Sequence, residues 1–99
     1  MYDIKYGEEF TNNLRKLSAS RRAEVLDTIV EQLTHQPAQE TRNKKILGGL
    51  NPPWDHDEPM WELRIGEYRA FYDVDEAGKT VTVRALRHKP PHKTTEEIL

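Results

Sequence analysis

The 99-residue sequence has no cysteine, which excludes disulfides and thiolate chemistry and makes a cytoplasmic setting the expectation. It has no apolar run approaching the ~20 residues of a membrane-spanning helix. The opening, MYDIKYGEEF, lacks the basic flank and apolar core of a secretory leader. No P-loop spacing occurs, and serine, histidine and acidic residues form no triad pattern. The DHDE stretch, residues 55 to 58, lies among prolines without a spacing that fixes a metal, so no metal or other cofactor is expected. Acid is also missing locally. Residues 1 to 78 carry 10 Lys/Arg against 15 Asp/Glu, whereas residues 79 to 93 carry five Lys/Arg and no acid. The net charge of −2 therefore hides a segment able to attract phosphate.

What is present fits one modest core. Apolar residues make up 35% of the chain and charged residues 32%, and the length suits a single domain over residues 1 to 99. Tyr2, Ile4 and Tyr6 alternate as a short strand would. Phe10, Leu14 and Leu17 then line one face of a helix. Ser20 is the expected N-cap of a second helix, with Ala23, Leu26, Val30 and Leu33 as its inward stripe and Ile29 beside them. Pro37 ends it. Residues 37 to 59 read as connection, holding the Gly48-Gly49 pair and then NPPWDHDEP with its three prolines, with local order around Trp54.

The end of the chain is more regular. MWELRI and YRAFYDV both alternate, and the intervening Gly66-Glu67 suits a two-residue II′ turn. DEAG, residues 75 to 78, is the next expected turn, before KTVTVRAL. The predicted architecture is α+β: an N-terminal strand, two antiparallel helices and a three-stranded antiparallel meander in one sheet. The helices cover one face and leave the other available.

Register converts this into chemistry. A Gly66-Glu67 turn sets Ile65 opposite Tyr68, Arg64 opposite Arg69, Leu63 opposite Ala70 and Trp61 opposite Tyr72. A DEAG loop would bring Arg84 beside Arg69, giving a row of three arginines on the open face, with Phe71 and Thr82 as neighbours. A bulge in that hairpin would remove Arg84. Planar guanidinium forks grip phosphate oxygens well, while Glu62 and Asp73 offer the competing outcome of ordinary ion pairing. Beyond the last strand, His88 and His92 can exchange protons near neutral pH, and Lys89 and Lys93 can balance phosphate charge. Lys44 and Lys45 are further candidate phosphate ligands.

The segment LRIGEYRAFYDVDEAGKTVTVRALRHK, residues 63 to 89, resembles the RelE/ParE superfamily, most closely its bacterial RelE-type toxin branch. That resemblance implies a toxin of a type II toxin–antitoxin module that cleaves mRNA in the ribosomal decoding site without a metal. The RNA 2′-hydroxyl attacks the adjacent phosphate, leaving a 2′,3′-cyclic phosphate and a 5′-hydroxyl. It also implies a cognate antitoxin, and a toxin–antitoxin complex on operator DNA. On this comparison Arg69 contacts the scissile phosphate and Lys89 matches the basic residue after the last strand. Lys44 and Lys45 match basic residues before the central loop. Arg64 and Arg84 come from register alone. The chain departs from the pattern in being net acidic and in having no tyrosine after Tyr72. His88 or His92, with His92 preferred, would then take the proton-transfer role. Two other functions fit the same resemblance: ParE-like inhibition of DNA gyrase, and an inactive antitoxin-binding protein.

Overall fold

The computed structural model describes residues 1–99. Its elements are β1 (Asp3–Tyr6), α1 (Glu8–Arg15), α2 (Ala19–Leu33), β2 (Lys44–Leu47), β3 (Met60–Ile65), β4 (Tyr68–Asp75), β5 (Thr80–His88) and the short α3 (Thr95–Ile98). The strands form one sheet in the order β1-β5-β4-β3-β2, with β1 parallel to β5 and the other pairs antiparallel. This is the expected α+β architecture with one more strand, β2, and a short third helix, α3. β2 falls inside the stretch read as connection. Four residues at a sheet edge carry too little periodicity to be seen alone, and β2 exists because Lys45 and Ile46 pair with Glu62 and Trp61.

Alternation decides which side chains meet the helices. Trp61, Leu63 and Ile65 of β3, Ala70 and Tyr72 of β4, and Val81, Val83 and Leu86 of β5 pack with Phe10, Val25, Ile29 and Leu33 in one buried cluster. Each large aliphatic side chain so buried contributes roughly 1.5–3 kcal/mol. Gly7 lets the start of α1 lie against β5: its N–H donates to the Val83 carbonyl at 2.8 Å, and a Cβ there would meet that oxygen at 3.3 Å. The Tyr72 hydroxyl donates to the Pro37 carbonyl at 2.8 Å and ties the exit of α2 to the sheet.

The second helix differs from expectation in two respects. Ser18, not Ser20, is its N-cap and accepts from the Arg21 N–H. The buried stripe is Val25, Ile29 and Leu33, with Leu26 beside it, while Ala23 is exposed and Val30 is 51% exposed. Ala23, Leu26 and Val30 occupy the adjoining flank of the helix. A sequence with apolar residues on both flanks leaves the choice to the surface it meets.

The β3–β4 hairpin has the predicted register from Ile65↔Tyr68 to Trp61↔Tyr72, and Gly66 takes the positive φ of 58° that its turn requires. The second hairpin does not. Its pairs begin at Asp75↔Thr80, two residues beyond the predicted alignment, so the faces are kept. A bulge then intervenes: Tyr72 pairs with Val83 and Phe71 with Ala85, leaving Arg84 unpaired in the ladder. Arg69 consequently stands opposite Arg87.

The face away from α1 and α2 is not open, as the sequence suggested. Leu47, Trp54, Met60, Phe71 and Ala85 form a second small core there, joined by Leu50, Ile98 and Leu99. The proline-rich loop and α3 both fold onto that face, and the Trp54 ring lies 5.1 Å from Phe71.

Candidate phosphate-binding site

At the end of the sheet beside the Gly66 turn, β2, β3, β4 and the residue after β5 enclose a recess of ≈ 240 Å³. Five cations line it, Arg42, Lys45, Arg64, Arg69 and Lys89, together with a single acid, Glu62, and no apolar side chain. Strand alternation puts them there. Lys45, Glu62, Arg64 and Arg69 share the face opposite Leu63 and Ala70, and Arg64 stands directly across from Arg69.

Arg69 is the most constrained of the five, with a side chain only 10% exposed. Its Nη1 donates to the Gly66 carbonyl at 2.9 Å and the Tyr68 carbonyl at 2.8 Å, and its Nε lies 3.6 Å from Glu62 Oε1. Nη2 has no protein acceptor, yet it is not sealed from solvent; among buried side-chain polar atoms only Trp54 Nε1 is both sealed and unpartnered. Arg69 is thus a clamped guanidinium with one free donor edge. Burial lowers its pKa, Glu62 opposes that shift, and Arg64 adds to it. Arg64 is exposed, and neither Arg64 nor Lys89 has an ion-pair partner. Such a cluster of positive charge is relieved by an anion with several oxygens.

Glu62 is itself buried. Oε1 faces Lys45 Nζ at 3.7 Å as well as Arg69, and Oε2 accepts from the Thr95 hydroxyl at 2.6 Å. The sequence offered Glu62 as an ion-pair partner of the arginines, and it does face Arg69; Arg42 as a lining residue did not stand out, because its place depends on β2 being a strand.

The remaining candidates lie elsewhere. Lys44 neighbours Lys45 in a strand and so points to the other face, where its Nζ donates to the Gln32 and Gln36 carbonyls at 3.1 and 2.8 Å. It satisfies the C-terminal end of α2, and burial lowers its pKa. Arg84, displaced by the bulge, donates through Nε to Asp73 Oδ2 at 2.7 Å and through Nη2 to Asp73 Oδ1 at 3.3 Å, and Asp57 lies 3.8 Å away. The Asp73 hydrogen bond raises its pKa. The row of three arginines is therefore a pair. Arg87, now opposite Arg69, turns away to donate to Asn13 Oδ1 at 2.8 Å and covers the Trp54 ring at 5.0 Å. His88 sits on the helix side of the sheet, its ring 5.3 Å from Tyr68 and its Nε2 3.3 Å from Glu67 Oε2. His92 is exposed in the turn before α3 and does not line the recess.

Residues 4–89 match the family model described as the ParE toxin of type II toxin–antitoxin systems, parDE. The chain belongs to the RelE/ParE superfamily of toxins. A comparison with curated proteins finds no match. Solved structures agree with the family fold. The chain is similar to the isolated E. coli RelE toxin at 25% identity and a TM-score of 0.64, covering 98% of this chain and 94% of that one. It is similar in fold to the Mycobacterium tuberculosis RelBE2 toxin–antitoxin complex at 22% identity and a TM-score of 0.68, over 89% of this chain and 98% of that one. The archaeal RelE–RelB complex from Pyrococcus horikoshii gives 20% identity and a TM-score of 0.68, over 94% and 98%. No helix of this RelE/ParE chain is long and apolar enough to cross a membrane.

Proposed function

We propose that this toxin of a type II toxin–antitoxin module acts on mRNA at the ribosome, holding an RNA phosphate in the Arg69 recess. The observation carrying this reading is a buried arginine that lines the recess with Nη1 clamped and Nη2 without a protein acceptor, beside Arg64 and Lys89, which lack acidic partners. In this mechanism Arg69 and Arg64 grip the non-bridging oxygens of the scissile phosphate and bind them more strongly as negative charge accumulates. The 2′-oxygen forms its bond to phosphorus as the bond to the 5′-oxygen breaks. The 2′-hydroxyl proton leaves to water, and the Lys89 ammonium protonates the departing 5′-oxygen. His92 and His88 have no role in this scheme, because neither reaches the recess. A cognate antitoxin is the expected partner, as several structural neighbours are toxin–antitoxin complexes.

Gyrase inhibition is the second reading, favoured by the match to the ParE family model and by the absence of a histidine from the recess. One experiment separates the two. The purified protein is incubated with translating ribosomes and, separately, with gyrase and relaxed plasmid. Mapped mRNA ends bearing 2′,3′-cyclic phosphate support the first reading; blocked supercoiling with intact mRNA supports the second. Antitoxin binding with neither effect would indicate an inactive binding protein.

A further inference from the structure

We propose that Glu62 and Thr95 form a positioning pair that fixes the Arg69 guanidinium, making α3 part of the anion site. The inference rests on the phosphate reading above. Glu62 is only 4% exposed in its side chain, so water cannot satisfy its carboxylate and protein groups must do so. Its two oxygens are divided: Thr95 donates to Oε2 at 2.6 Å, while Oε1 faces Arg69 Nε at 3.6 Å and Lys45 at 3.7 Å. Lys45 is 62% exposed and free to swing outward, whereas Thr95 and Arg69 are held. The strand fixes the Glu62 backbone, the Thr95 hydroxyl fixes its carboxylate, and the buried charge so held attracts the Nε side of Arg69 at 3.6 Å. The Gly66 and Tyr68 carbonyls hold Nη1, so Nη2 is the edge left for a ligand.

Four-residue α3 cannot hold Thr95 in place alone. Two anchors do so. Thr94 and Glu97 form a reciprocal capping box, and Ile98 and Leu99 pack on the cluster of Trp54, Met60 and Phe71. The position of the chain's last residues is thereby transmitted to the arginine through one hydroxyl and one carboxylate. Thr95 and Glu62 are positioning residues, since neither needs to touch the RNA.

The test uses the full-length protein labelled at arginine, comparing wild type with Thr95→Val, Thr95→Ser and Glu62→Gln. Thr95→Val removes the hydroxyl without changing charge or size, and Glu62→Gln keeps the shape. Solvent exchange of the Arg69 Nε–H is followed by NMR, and affinity is measured for a short, uncleavable 2′-O-methyl oligoribonucleotide. Expected is Arg69 exchange faster by about tenfold in Thr95→Val and Glu62→Gln, with wild-type exchange in Thr95→Ser. Thr95→Val should also bind the oligonucleotide more weakly with an unchanged salt dependence, since no charge is lost. Unaltered Arg69 exchange in Thr95→Val would overturn the positioning pair. Wild-type protein that ignores the oligonucleotide would overturn the phosphate reading, while altered exchange would still uphold the pair.

Discussion

Beside the Gly66 turn five cations gather around one buried acid, whereas beside the Trp54 loop two arginines, Arg84 and Arg87, lie among acids from three segments. Both regions use arginines on the sheet surface away from α1 and α2. Their difference is how fully carboxylates engage the guanidinium: both Asp73 oxygens bond Arg84, whereas Glu62 reaches Arg69 only through Oε1 at 3.6 Å. Asp73 and Asp57 engage Arg84 from β4 and the loop, and Glu8, Glu9 and Asp55 line the neighbouring hollow. The carboxylates at that end neutralise Arg84 and would repel a phosphate. The Arg69 end is kept open because Glu62 spends one oxygen on Thr95 and shares the other between two cations. Counting arginines on a face is therefore insufficient; their internal partners decide which remain available.

The largest expected effect lies in the open region. Arg69→Ala should lower ribosome-dependent cleavage on the order of 10²–10³-fold, as loss of one transition-state donor typically does, with the folded domain retained by circular dichroism. If activity were unchanged, the distinction between the two ends would have no functional content.

Arg84→Ala should have the opposite profile. It leaves the carboxylate of Asp73, 6% exposed, without its charged partner and should cost about 3 kcal/mol in urea unfolding, while oligoribonucleotide affinity is unchanged. Weaker RNA binding at intact stability would place phosphate at the wrong end of the sheet.

How far the sequence reveals this contrast depends on the element. The β3–β4 hairpin is legible because Gly66 fixes a two-residue turn and strict alternation then assigns each side chain a face. Arg64 and Arg69 are brought together by that local logic alone. Arg84 is not legible in the same way, since a bulge after Val83 obeys packing between β4, β5 and the loop and leaves no mark in the pattern of apolar residues. Lys44 and Lys45 show the same limit. Once β2 is known, alternation sends one to the end of α2 and the other to the recess, but four edge residues announce no strand. The cover on the second face is equally hidden, because Trp54 and Ile98 reach it from segments with no periodicity.

A smaller effect sharpens the comparison within the recess. Arg64→Ala should weaken single-stranded RNA binding and flatten the log–log salt dependence by about 0.7, the share of one phosphate contact. Arg84→Ala should leave that slope alone.

The smallest effect belongs to the acidic loop. A hydrogen bond to the Trp54 carbonyl, assisted by Glu58, raises the pKa of His56 against the lowering effect of burial. A folded-state pKa above the unfolded value of 6.5 means that His56 adds stability fully below that value. The gain is lost as pH rises through the higher folded value. Its partner is exposed, so the contribution is about 1 kcal/mol or less. Unfolding midpoints across this pH range should flatten in His56→Gln. A similar flattening in Arg64→Ala would show that the two ends are electrostatically coupled.

Contact of RNA with the sheet at the Gly66 end is read directly by photochemical cross-linking. A 4-thiouridine-bearing 2′-O-methyl oligoribonucleotide is irradiated with the full-length protein, and the joined peptides are mapped by mass spectrometry. Attachment to peptides carrying Arg42, Lys45, Arg64, Arg69 or Lys89 is the expected result. Attachment concentrated at residues 8–12 or 54–58 would contradict it.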